Sequence, residues 1–150
     1  MEQWLLENGY PALFLLSFLA STLVPLGSEW LLAVLLVNGF EPSIVVLIAT
    51  AGNSCGALTT YAIGVWGGPY LVQRVLRISQ ESQKRAEHYF ARYGSWALLF
   101  SWLPVLGDPL CLAGGILRTG FWRFVLLVAI GKFLRYLLVA KLVVDGFNTM

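Results

Sequence analysis

Charge is what this sequence lacks most. Only 12 % of its 150 residues are Asp, Glu, Lys or Arg, about half the ~25 % of an ordinary soluble domain. Hydrophobic residues make up 58 % of the chain, and its mean hydropathy is +0.74. A water-soluble globule of this size has too little interior to hide that much apolar surface, which excludes a soluble enzyme. A net charge of +2 gives no basic field for nucleic acid, and 14 % aromatic residues exclude a disordered chain. The two cysteines, Cys55 and Cys111, are too few for a disulfide scaffold. Together with the single histidine, His88, they match no zinc-ligand spacing, so neither a metal nor a cofactor is expected. No nucleophile–base pair or phosphate loop stands out, so no enzyme is expected either. The opening Met1-Glu2-Gln3-Trp4 carries no cation, and no removable signal peptide is expected. What is left is an all-α polytopic membrane protein, read as a single membrane domain over 1–150.

Four apolar blocks differ in kind. Ile44–Trp66 runs without proline or formal charge and is long enough to span a bilayer as a helix, which takes about 20 residues. Phe121–Val144 is also long enough but carries Arg123, Lys132, Arg135 and Lys141. Tyr10–Val37 is broken by Pro25-Leu26-Gly27-Ser28-Glu29, and Tyr93–Leu117 by Pro104-Val105-Leu106-Gly107-Asp108-Pro109. The arms on either side of each break are mostly too short to cross alone. They suit re-entrant hairpins, whose mid-depth backbone must be buried in protein or face water.

The order of features repeats. The Tyr10 segment parallels the Tyr93 segment, one proline–glycine–acid break parallels the other, and Gly52-Asn53 parallels Gly131-Lys132. Each half reads as a re-entrant broken-helix hairpin plus one transmembrane helix: repeat one over 9–68, repeat two over 93–146. An amphipathic, interfacial connector over 69–92 joins them, with Ser79 as a helix cap and Ala86, Tyr89, Phe90 and Tyr93 on one face. With both breaks re-entrant, Arg74, Arg77, Lys84, Arg85, Arg92, Arg118 and Arg123 fall on one side of the membrane. Glu2, Glu7, Glu41 and Asp145 fall on the other. The positive-inside rule then makes the connector cytoplasmic and the termini extracytoplasmic, and the second half inverted relative to the first.

The residues a bilayer should exclude carry the functional signal. Lys132 lies near the middle of its helix, and Arg135 shares its face at i+3. Mid-membrane charges cost about 2.5–3.5 kcal/mol each on insertion scales, so they call for partners or water. Glu29 and Asp108 at the two tips are the acidic candidates, and Asn53 occupies the position equivalent to Lys132. Five polar groups are therefore expected to converge: Glu29, Asn53, Asp108, Lys132 and Arg135. Asp108-Pro109 also reads as a helix start with Asp108 at the N-cap, and Ser28 as a cap for the other half-helix. Gly52-Asn53-Ser54-Cys55-Gly56 reads as a helix-packing face, Gly114-Gly115 as a point of close backbone approach, and both cysteines as small packing residues.

Pro25…Ser28-Glu29, Gly52-Asn53-Ser54, Ser101-Trp102-Leu103-Pro104-Val105-Leu106-Gly107-Asp108 with Cys111-Leu112-Ala113-Gly114, and Gly131-Lys132 with Leu134-Arg135-Tyr136 cover nearly the whole chain. In these motifs it resembles the YqaA branch of the DedA superfamily, whose core is also called the VTT or SNARE-associated domain. The resemblance implies a bacterial inner-membrane protein with inverted re-entrant hairpins. It further implies movement of lipids across the bilayer, including polyprenyl (undecaprenyl) phosphate, with dependence on the proton-motive force. The superfamily's second hairpin typically carries two arginines thought to engage lipid phosphate. Here Ser101 and Gly107-Asp108 stand near those positions, and Lys132 and Arg135 are expected to supply the cations from the next helix.

The reading is a carrier for an anionic lipid, with membrane lipids as its partners. Lys132, Arg135 and Asn53 bind the headgroup, while Glu29 and Asp108 serve as proton-coupling carboxylates. Pro25, Gly27, Ser28, Pro104, Gly107 and Pro109 form the hairpin breaks. The alternatives are a proton-coupled exporter of small cations and a non-catalytic assembly or lipid-organising protein. A homo-oligomer is compatible with all three.

Overall fold

The computed structural model of the chain describes residues 2–21, 28–67, 74, 78–103 and 106–149. Pro25, Gly27 and Pro104, and most of the connector before residue 78, lie outside them. The described residues form helices and no strands. In chain order these are α1 (Glu2–Ala20), α2 (Ser28–Val37), α3 (Pro42–Trp66), α4 (Gln80–Tyr93), a 3-10 helix (Gly94–Trp102), α5 (Gly107–Ile116) and α6 (Phe121–Asn148).

The lengths follow from where breakers stand. Gly39, at φ +83°, turns the chain between α2 and α3, and Pro42 opens α3 where its missing N–H costs nothing. At 1.5 Å per residue, α3 is about 37 Å long and α6 about 42 Å, enough to cross a hydrocarbon core of about 30 Å. The ten-residue α2 and α5 reach only about 15 Å, half that depth. Among the described residues, only α3 is both long and apolar enough to count as a span on composition, because α6 carries its four cations. Ser79 caps α4 as expected, its hydroxyl accepting from the Ser82 amide.

Three expectations need correction. α1 begins at Glu2, eight residues before the apolar block at Tyr10, and accommodates Pro11 internally. The first arm of the second break winds as a 3-10 rather than an α-helix. Asp108 is not an N-cap: the Gly107 amide donates to Leu103 O at 2.8 Å and the Leu110 amide to Leu106 O at 2.9 Å. α5 therefore starts after Leu106, with Asp108 inside its first turn.

The packing is reciprocal. α3 lies against α1 and α5, while α6 lies against the 3-10 helix and α2. Each long helix thus meets the first arm of its own half and the second arm of the other. Glycines let the backbones touch. A Cβ on Gly52 would fall on Phe14 O of α1, and one on Gly115 would fall on Tyr61 O of α3. Cys111 is buried as a packing residue, but Cys55 is exposed rather than packed.

Among the described residues two large apolar cores result, besides a small cluster of Ile78 and Leu112. One gathers Leu13, Leu32, Leu35, Val45, Ala49, Tyr136 and Ala140; the other gathers Ala57, Phe90, Leu98, Leu110, Phe124 and Val128. The N-terminal half of α3 shares a core with the C-terminal half of α6, and the reverse holds in the other core, so the two long helices run antiparallel. Outside, α6 exposes Leu126, Ile130, Leu134, Leu138 and Leu142 at a spacing of four. All six tryptophans are exposed, which a water-soluble protein would not tolerate and a bilayer interface favours.

Candidate functional site

The gap between the two cores falls where α3 presents Asn53 and α6 presents Lys132, each between residues of one core and residues of the other. Lys132 is only 4 % exposed. Its Nζ donates to Ser21 Oγ at 2.9 Å, to the Asn53 carbonyl at 3.1 Å, and to Asn53 Oδ1. Every one of these acceptors is neutral. The expected carboxylate partner is therefore not in place, although Asp108 lies within electrostatic reach of both Lys132 and Arg135.

Arg135 is the cation that takes the acid. Its guanidinium donates to Glu29 Oε1 in a partly buried ion pair, and its other arm donates to Trp102 O at 2.8 Å. One side chain of α6 thus ties the start of α2 to the end of the 3-10 helix. The i+3 spacing put both cations on one face as expected; it did not say which would find the carboxylate.

Tyr136 is a member that sequence reasoning missed. Buried at 1 % exposure, its hydroxyl accepts from Asn53 Nδ2 at 2.8 Å and pairs with Ser28 Oγ at 2.8 Å. Ser28 is therefore spent on a contact with α6 rather than on capping α2. Only the Leu134-Arg135-Tyr136 motif pointed to this residue, because an apolar helix gives no reason to prefer one tyrosine over another. Tyr136→Phe removes the oxygen while leaving Asn53 Nδ2 buried and unpaired, which costs about 1–3 kcal/mol. A lowered thermal midpoint of helicity in detergent, with full-length protein still inserted, is the expected result.

Ala20, Ser21, Ser28, Asn53, Ser101, Leu103, Gly107, Asp108, Lys132 and Arg135 enclose a polar cavity of about 20 Å³. That is room for about one water molecule. Ser101 and its hydroxyl are buried at this wall with no hydrogen-bond partner among the described residues. Gly107 permits the wall, since a Cβ there would fall on Ser101 O. The five predicted polar groups therefore do assemble. Asn53, Asp108, Lys132 and Arg135 line the cavity, and Glu29 holds Arg135 at its edge. Of the predicted hairpin-break residues, Ser28 and Gly107 line it and Pro109 is buried behind it. The chemistry available is a fixed ammonium and a clasped guanidinium beside one carboxylate, with hydroxyl and amide donors around them. That combination can bind an anionic oxygen and can exchange a proton at a carboxylate.

An apolar outer surface around a charged interior defines a helical membrane protein. A VTT domain matches residues 24–144. Over 90 % of its length the chain is 40 % identical to the inner membrane protein YqaA of Escherichia coli K12, covering 91 % of that protein. It is 39 % identical over 86 % of its length to an uncharacterized protein of Haemophilus influenzae, covering 83 % of it. It is 26 % identical over 89 % of its length to the uncharacterized membrane protein YbfM of Bacillus subtilis, covering 88 % of it. The chain belongs to the VTT-domain (DedA) family. No solved structure matches it.

Proposed function

We propose that this protein carries an anionic lipid, such as undecaprenyl phosphate or a phospholipid, across the bacterial inner membrane, making and breaking no covalent bond. The observation that carries the reading is Lys132: a mid-helix ammonium, buried, bonded among the described residues only to neutral oxygens, and facing a polar cavity. Ser101 Oγ faces the same cavity. A phosphate oxygen is the acceptor that both would take up.

The cavity is too small for a phosphate as it stands. Entry requires Arg135 to let go of Glu29 or of the Trp102 carbonyl, and a phosphate is a bidentate partner able to compete for that guanidinium. Electroneutrality ties this exchange to protons. Glu29, Asp108, Lys132 and Arg135 sum to zero, so an arriving phosphate leaves an excess negative charge, which a proton on Glu29 or Asp108 cancels. The same balance weighs against an exporter of small cations, which would meet two fixed cations at the centre.

The reciprocal packing of the arms and the antiparallel long helices support an inverted repeat. The half-depth α2 and α5 support re-entrant hairpins whose tips meet at mid-membrane. In that arrangement the basic connector is cytoplasmic and both termini are extracytoplasmic.

The test is reconstitution in vesicles with fluorescently labelled undecaprenyl phosphate or phospholipid. Movement well above protein-free vesicles is expected, reduced at least tenfold in Glu29→Gln at equal folded amounts. Wild-type vesicles that move neither lipid would reject the carrier.

A further inference from the structure

Next to the polar cavity lies an apolar one. It has a volume of about 240 Å³ and is lined by Tyr93, Ala97, Phe100, Leu103, Leu106 and Leu110, with Tyr89 at its edge. α4, the 3-10 helix and α5 build its walls. Tyr93 and Phe100 tilt against each other at 6.3 Å between ring centroids, and Tyr89 stacks on Tyr93 at 6.2 Å. Tyr89, Tyr93 and Phe100 are all exposed, so the cavity opens outward on the flank of the molecule. Leu103 belongs to both cavities: it lines the apolar one and also the chamber that holds Lys132, Asp108 and Ser101.

Two compartments of opposite character that share one wall residue match an amphiphile. We propose that the apolar cavity is the binding subsite for the hydrocarbon chain of the lipid whose phosphate enters the Lys132 chamber, with Leu103 at the junction of head and tail. This rests on the carrier reading above and adds the tail to it. Three features select the occupant. The lining is aliphatic and aromatic, which suits a chain and offers almost nothing to a polar ligand. The volume is about twelve times that of the polar cavity, which has room for about one water, so it fits the part of a chain nearest the headgroup. The neighbouring chamber supplies the cations that an anionic headgroup requires, so the tail subsite continues a charge-complementary head site.

The subsite also accounts for an arrangement the carrier reading alone leaves idle. α4 turns its buried Ala86 and Phe90 toward the helical core, while Tyr89 and Tyr93 remain exposed at the cavity mouth. Arg92 lies over the Tyr93 ring at 5.6 Å. A chain entering here passes a cationic and aromatic rim before reaching the leucines.

A photocrosslinking experiment tests it. The full chain is reconstituted in phosphatidylcholine vesicles with a trace of phosphatidic acid bearing a diazirine on the upper third of one chain. Adducts are mapped by mass spectrometry while transbilayer movement is followed in the same vesicles. Adducts concentrated on Tyr93, Phe100 and Leu106 are expected, at least fivefold above those formed by diacylglycerol carrying the same chain. Leu106→Trp, which fills the cavity, should reduce them at least tenfold, as should Phe100→Asn, which makes its wall polar from an already exposed position. Adducts on the outward Leu134 and Leu138 report correct insertion and should not change in either variant. Equal labelling by diacylglycerol would overturn the subsite. So would wild-type adducts confined to Leu134 and Leu138, or movement that persists in both variants after the cavity adducts are gone. Absence of wild-type movement would instead count against the carrier, while the adducts still decide whether the tail site exists.

Discussion

Lys132→Met is expected to yield a folded, inserted protein that moves phosphate lipid at least a hundredfold more slowly. Two terms act on stability in opposite directions, and the lost hydrogen bonds outweigh the relieved charge, so the thermal midpoint falls while the fold persists. The variant loses hydrogen bonds from Nζ to Ser21 and Asn53, each worth about 1.5–3 kcal/mol when the donor is charged. It also removes a mid-membrane charge that costs about 2.5–3.5 kcal/mol to insert. Glu29 keeps Arg135, while Asp108 loses the stronger-acting of the two cations that reach it and is left with Arg135 alone. Transport has no such compensation: a hundredfold loss is about 2.7 kcal/mol, the scale of the charge-assisted contacts a phosphate would lose. The double variant Lys132→Met with Asp108→Leu separates this from a purely structural role. If the cluster only held helices together, an apolar pair would restore or exceed native behaviour, as buried ion pairs replaced by apolar side chains often do. A carrier should stay inactive in the double variant, and full activity there would refute the headgroup site.

The second large effect concerns backbone contact rather than charge. Gly115→Leu should collapse the yield of folded protein and lower the thermal midpoint sharply. A Cβ on Gly115 meets the Tyr61 carbonyl, and a Cβ on Gly64 across the same crossing meets Leu112 O at 2.6 Å. These are backbone atoms of two packed helices and cannot rotate away, so α3 and α5 must separate. Overpacking of this kind costs about 1–3 kcal/mol or more. Separating α3 from α5 also displaces Asp108 from the polar cavity. Gly146→Leu is the control: nothing lies within 4 Å of a Cβ there, and no change is expected. Equal behaviour of the two variants would mean that the α3–α5 crossing is not the tight contact described.

Much of this was legible in the residues. The proline–glycine–acid breaks marked where long apolar blocks divide, and glycine pairs marked where helices meet. Charges in a sequence so poor in charge marked the centre. The remainder depended on geometry that periodicity does not encode. Hydrophobic residues on almost every face of residues 94–102 leave no stripe to reveal whether they wind as a 3-10 or an α-helix. The Asp108-Pro109 pair resembled a helix start, yet Gly107 fits closely enough against Ser101 to let the helix begin before it. Ser21 passed unmarked, and Ser101 and Tyr136 stood in motifs without a role, because isolated hydroxyls in apolar helices are ordinary. Only their meeting with Lys132 and Asn53 makes them part of the site.

The outward placement of every tryptophan has a practical corollary. Indole emission from this protein reports on its surroundings and says little about its interior. Brominated acyl chains and headgroup quenchers should reach essentially all of the fluorescence, and their relative efficiency measures the depth of each ring. By the same token, a melt followed by tryptophan emission would register changes in lipid or detergent contact and could miss loss of the core. Circular dichroism is the appropriate signal for the stability changes predicted for Tyr136→Phe and Gly115→Leu.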